Sequence, residues 1–194
     1  MPGILIALTV IVVSVLLWGL LTRRWSAESR RSRALLKNAA PIHPVMHIPV
    51  PWVFILAYLV GVAAQLFLPI HIRSSEVARY GLIAGLIFVV VGVAVAFSAL
   101  GIFRKRRTTT IPFDTPTSLV TSGPYRFTRN PMYVGLTLIY VGVAGTRAEL
   151  WPVIVLPVLL AYVNFIVIPL EERHLHDAFG DAYAHYGAGV RRWL

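Results

Sequence analysis

Five apolar runs punctuate the chain: Gly3 to Leu21, Val50 to Leu68, Tyr80 to Phe103, Met132 to Gly145 and Leu150 to Leu170. Four of them approach or exceed the ~20 apolar residues that cross a hydrocarbon core of ~30 Å, and the pattern predicts an all-α integral membrane protein of about five transmembrane helices. No side-chain charge precedes the first run and Arg23 and Arg24 follow it, the reverse of a secretory signal peptide, so it reads as a retained span with its N-terminus outside. The second run stops at Pro69, and a polar hairpin from His71 to Arg79 leads to the third, which at about 36 Å is long enough to tilt. Gly81, Gly85, Gly92 and Ala96 give that run a small-residue face for close packing within the monomer. The fourth run is short for a span even with Pro131 as its start. Thr146 to Glu149 turns the chain, so the fourth and fifth runs form a helical hairpin whose inner ends carry polar residues.

Beyond Glu171 the pattern changes. Leu175, Phe179, Tyr183 and Tyr186 recur at helical spacing, which predicts a cytoplasmic amphipathic C-terminal helix folded back over the membrane surface and ended by Gly187 and Gly189. Residues 22–49 form a basic connector in which Ser26 to Lys37 suits an interfacial helix. With 57% of its 194 residues hydrophobic and 13% charged, the chain has lipid as its main solvent. It is expected to be one domain over residues 1–194, with three spans and the connector in 1–103 and a binding loop, hairpin and last helix in 104–194.

Charge orients this arrangement. Of the 18 Lys and Arg, three (Arg73, Arg79 and Arg147) lie on one side of the five crossings and the rest on the other, which places the long loop and the C-terminus in the cytoplasm. The formal charge of +10 is explained by topology and anionic lipid rather than by nucleic acid. There are no cysteines, hence no thiol nucleophile or thiolate metal site. His43 and His47 lie among prolines, and His174 and His176 are two apart on a helix, so no metal centre is expected. No Gly-rich dinucleotide loop, phosphate loop or nucleophile elbow is present.

The densest polar segment runs from Ser122 to Gly135. Gly123 and Pro124 mark a turn, and Asn130 and Pro131 a break that opens a helix at Pro131. Between and beyond them stand Tyr125, Arg126, Arg129, Asn130 and Tyr133, a set suited to a cationic, partly aromatic ligand. The helix start offers backbone N–H groups to an anion. Glu171 and Glu172 close the last apolar run, and carboxylates there need water, a cation or a donor. The blander alternative for these groups is headgroup-level pairing with Arg173 or a loop arginine, and lipid-phosphate contact for Arg126 and Arg129.

Gly123-Pro124-Tyr125-Arg126, Arg129-Asn130-Pro131-Met132-Tyr133, Gly135, Glu171-Glu172 and Phe179-Gly180 with Tyr183 and Tyr186 together resemble the integral-membrane isoprenylcysteine carboxyl methyltransferase and phospholipid methyltransferase group over roughly the last 80 residues. The resemblance implies S-adenosylmethionine as cofactor, bound by Tyr125, Arg126, Arg129, Asn130, Pro131, Tyr133 and Glu171 or Glu172. Asn130 stands where the group usually has histidine. It also implies that an arginine near the chain end, Arg192 or Arg191 with Arg173 as another candidate, holds a substrate carboxylate. The expected activity is methyl transfer to a lipophilic acceptor from the bilayer, a carboxylate first, with Arg173, Arg192 and Glu172 at the reacting centre. An amine or phenol acceptor such as a phospholipid, an NADPH-dependent membrane reductase and a non-catalytic scaffold are the alternatives. A monomer in a bacterial inner membrane is expected.

Overall fold

The computed structural model describes residues 50–70, 74–105 and 118–194. The chain divides into two compact units, Met1–His47 and Ile48–Leu194, and the described residues all belong to the second. The first expected span and the basic connector, together with residues 71–73 and 106–117, lie outside the described residues.

All regular structure among the described residues is helical: α1 Val50–Phe67, α2 Ser75–Lys105, a 3₁₀ turn Gly123–Arg126, α3 Pro131–Arg147, α4 Leu150–Tyr162, α5 Ile168–Phe179 and α6 Asp181–Gly189. A π turn over Val163–Val167 joins α4 to α5, so the chain runs as one helix from Leu150 to Phe179. Among the described residues three helices, Val50–Phe67, Ser75–Ile102 and Leu150–Phe179, are long and apolar enough to cross a membrane. At 17 residues α3 is shorter, as its sequence implies.

The core lies between α1, α3 and the α4–α5 helix, where Phe54, Tyr58, Tyr140, Ala144, Leu159, Val163 and Ile168 are buried together. Tyr140 is the hub: Tyr58 meets its ring edge-on at 5.2 Å and its hydroxyl donates to the Pro152 carbonyl at 2.9 Å. The turn between α3 and α4 is tied to this core. Ala148 takes a left-handed φ of 52°, Glu149 pairs with Arg147 at 2.7 Å, and the Tyr58 hydroxyl donates to Glu149 at 2.9 Å. A carboxylate buried at that depth is tolerable because both its oxygens are met.

On the other side of α3, α2 packs antiparallel at backbone distance. A Cβ placed on Gly85 would fall 2.5 Å from the Gly142 carbonyl oxygen, and one on Gly92 would fall 2.7 Å from that of Gly135. The small-residue face read from the sequence is therefore used inside the chain, where dispersion between backbones replaces the hydrophobic effect that lipid cannot supply.

The tail departs from the expected single amphipathic helix. Regular spacing from Leu175 to Tyr186 suggests one continuous face, but Gly180 adopts φ 52° and ψ −127°, a conformation open to glycine and not to a side chain. The helix stops there and α6 starts in a new direction, with Tyr183 rather than Leu175 buried.

The α2–α3 seam yields a direct prediction. Gly142→Val should lower the stability of the detergent-purified protein by roughly 1–3 kcal/mol. Gly101→Ala, whose added carbon meets nothing within 4 Å, is the control. Equal thermal midpoints for the two variants would rule out the seam as a tight contact.

Candidate functional site

The loop before α3 is held from both sides. Gly123, at φ 63°, turns the chain under Ile102 of α2, and Tyr125 is buried with Ala99 and Val120. Three consecutive residues then bind the end of the chain: the Arg129 amide donates to the Arg191 carbonyl at 2.9 Å, and the Thr128 hydroxyl and the Asn130 side-chain amide both donate to the Arg192 carbonyl, at 3.0 and 2.9 Å. Asn130 precedes the first helical residue, Pro131, but its side chain serves the tail instead of capping the helix. Its carbonyl accepts from the amides of Tyr133 and Val134, so these two helix-start donors, expected to be open to an anion, are already engaged.

Above this knot two carboxylates face the loop with different surroundings. Glu171 accepts from the Tyr133 hydroxyl at 2.8 Å. Glu172 lies between two guanidinium groups: Arg192 meets it with Nη2 at 2.5 Å and Nε at 3.1 Å, and Arg129 Nη1 is 3.1 Å away. The two-pronged approach of Arg192 is the stronger kind of contact. Two positive charges on one carboxylate leave an excess of one. Arg129 Nε is buried and has no hydrogen-bond partner among the described residues.

Aromatic groups close the arrangement. The Tyr186 hydroxyl donates to the Tyr125 carbonyl at 2.7 Å, and the Trp193 indole N–H donates to Asn164 Oδ1 at 2.9 Å. Burial, with Glu171 second, holds the Tyr125 phenol well above its ordinary value, and burial, with Tyr183 second, pushes Tyr186 up to about 12. Both phenols are neutral at physiological pH, and that of Tyr186 serves as a donor.

Of the residues singled out in the sequence, the structure brings together Tyr125, Arg129, Asn130, Pro131, Tyr133, Glu171, Glu172 and Arg192 around the loop and the tail. Arg126 and Arg173 are exposed and take no part in this network. Sequence reasoning did not single out Thr128, Trp193 or Asn164. Asn164 carried a signal, an amide inside an apolar run, whereas Thr128 binds a backbone carbonyl 64 residues away and carried none.

The donor set fits S-adenosylmethionine. Glu171 with the tyrosine rings suits a cationic centre and an aromatic base, and the orphaned Arg129 Nε suits a carboxylate. Among the described residues no group of His, Cys, Asp and Glu is placed to hold a metal ion.

Two outcomes follow from these contacts. Glu172→Gln should cost roughly 1.5–3 kcal/mol, the range for hydrogen bonds to a charged group, and lower the thermal midpoint; an unchanged melt would show the trio to be incidental. Because the folded pKa of Tyr186 is raised above the unfolded value of 10.0, its share of stability is complete below pH 10 and is lost as pH climbs toward about 12. Tyr186→Phe should flatten part of that alkaline loss in melts run between pH 9 and 12.

Comparison with known proteins adds one match: the phospholipid methyltransferase family profile covers residues 80–182, more than half of the chain and every element of the loop, α3 and the carboxylate pair. No curated protein and no solved structure matches the chain.

Proposed function

The chain belongs to the phospholipid methyltransferase family, whose members are S-adenosylmethionine-dependent methyltransferases, and from that premise we propose that it methylates a lipid headgroup amine reaching the site from the bilayer. S-Adenosylmethionine supplies a methyl group already activated by its sulfonium. The protein's own part is to align donor and acceptor and to exclude water, effects that together reach ~7–11 kcal/mol in favourable cases.

The observation that carries this reading is the unequal state of the two carboxylates. Glu172, with both oxygens on arginines, would hold the loop and the tail together. Glu171, with one oxygen on the Tyr133 hydroxyl, stands on the same helix end as the candidate proton acceptor that an amine needs before it attacks. Tyr125, Tyr133 and Glu171 would hold the cofactor's cationic and aromatic parts, and Arg129 its carboxylate. Asn130 would support the loop through the Arg192 carbonyl, and the exposed Arg126 stays outside this set.

A second reading, carboxyl methylation of an isoprenylcysteine-like acceptor, is favoured by the extra positive charge of the Arg129–Glu172–Arg192 trio and needs no base. It requires Arg192 to leave Glu172, or Arg173 to turn inward from its exposed position, to grip the acceptor. The cytoplasmic placement of the site rests on the asymmetry of Lys and Arg along the chain. A monomer is supported by the use of the small-residue face of α2 against α3.

The test pairs binding with transfer. Calorimetric titration of the purified protein with S-adenosylhomocysteine, with NADPH run beside it, establishes the cofactor. Labelled methyl transfer in nanodiscs is then measured with phosphatidylethanolamine and with a prenylcysteine. Glu171→Gln should slow amine methylation by about 10²–10⁴-fold. Transfer to the prenylcysteine alone, undiminished by Glu171→Gln, would replace the amine reading with the carboxyl one.

A further inference from the structure

Asn164 is the one non-aromatic polar side chain between Leu150 and Leu170. It lies in the π turn, where the i→i+4 ladder is interrupted, and such turns frequently mark functional positions. Its partner Trp193 has only an N–H to offer, so the oxygen of the amide must face the indole, and Nδ2 is the end left over. That amide group has no acceptor among the described residues. A role as packing glue between the helix and the tail accounts for the oxygen and leaves the donor unexplained. Phe165 and Ile166, next along the chain, are exposed at 74% and 44%, so Asn164 borders a face open to lipid.

We propose that Asn164 Nδ2 is a recognition donor for the lipid acceptor, and that it reads an ester carbonyl of a diacyl glycerophospholipid. The inference rests on the amine-methylation reading above. Asn164 lies seven residues before Glu171, deeper in the apolar run by roughly 10 Å at 1.5 Å per residue. That is about the reach of a phosphoethanolamine from its nitrogen to the ester of the glycerol. A headgroup amine at Glu171 therefore brings an acyl carbonyl level with the unpaired amide, which at that depth has no water to donate to. A prenylcysteine carries no carbonyl at that distance from its carboxylate. Trp193 is then a positioning residue: by occupying Oδ1 it fixes which end of the amide meets the lipid.

The experiment compares diacyl phosphatidylethanolamine with its dialkyl ether analogue, which keeps the headgroup and lacks both carbonyls, in nanodiscs with labelled methyl donor. The wild-type chain should show a KM three- to tenfold lower for the diacyl form, the worth of one hydrogen bond. In Asn164→Leu that ratio should fall to about one. A ratio near one in the wild-type chain, or a ratio that persists in Asn164→Leu, overturns the assignment, and the wild-type comparison stands even if the variant folds poorly. Failure of the wild-type chain to bind S-adenosylhomocysteine or to methylate either lipid overturns the methyltransferase reading and this one together; normal transfer to both lipids at equal KM overturns this one alone.

Discussion

Glu172 held between Arg129 and Arg192 is the contact on which the arrangement of the site depends. One carboxylate just beyond the last apolar run joins three parts of the chain that are far apart in sequence: the loop before α3, the first half of α5 and the returning tail. Backbone contacts reinforce it, since the Arg191 and Arg192 carbonyls accept from residues 128–130. An ion pair of this kind gains from being partly shielded, yet gains most when every member also has a neutral hydrogen bond to fix its direction. Here the arginine that reaches Glu172 from the tail is the same residue whose carbonyl receives two donors from the loop, so orientation and charge reinforce each other.

The second constraint is the backbone contact of α2 with α3. It sets where Pro131 begins the helix and hence where Tyr133 points one turn later, toward Glu171. The opposite end of the same helix is fixed by Tyr58 and Arg147 on Glu149. With both ends anchored, α3 acts as a rigid ruler between the buried polar turn at one surface of the bundle and the carboxylate pair at the other.

Much of this was legible from residue order. Apolar runs located α1 and α2 to within about five residues and the start of α4, because in lipid the length of a span is dictated by the thickness it must cross. Pro131 fixed the start of α3, and the spacing of glycines named the face that packs. What escaped notice was whatever depends on backbone partners or on dihedral angle. The return of residues 190–193 to the loop is made largely by carbonyl oxygens, which every residue has. The break at Gly180 was hidden because the apolar spacing runs regularly across it, although the glycine that permits the break was in plain view. Asn164 was overlooked because its partner, Trp193, is 29 residues away. Free helix-start amides were expected at α3, and the Asn130 carbonyl takes two, as the residue that caps a helix start does in general.

The glycine seam also governs traffic. Where two helices touch through their carbonyl oxygens and Cα atoms over Gly85 to Gly92, no gap is left wide enough for an acyl chain, and that wall of the bundle is sealed to the surrounding leaflet. Under the reading proposed above, a hydrocarbon tail reaches the carboxylates along another flank, and the exposed Phe165 and Ile166 border the one that carries the interrupted helix. Among the described helices, lipid thus meets a closed seam on one flank and an interrupted helix on another.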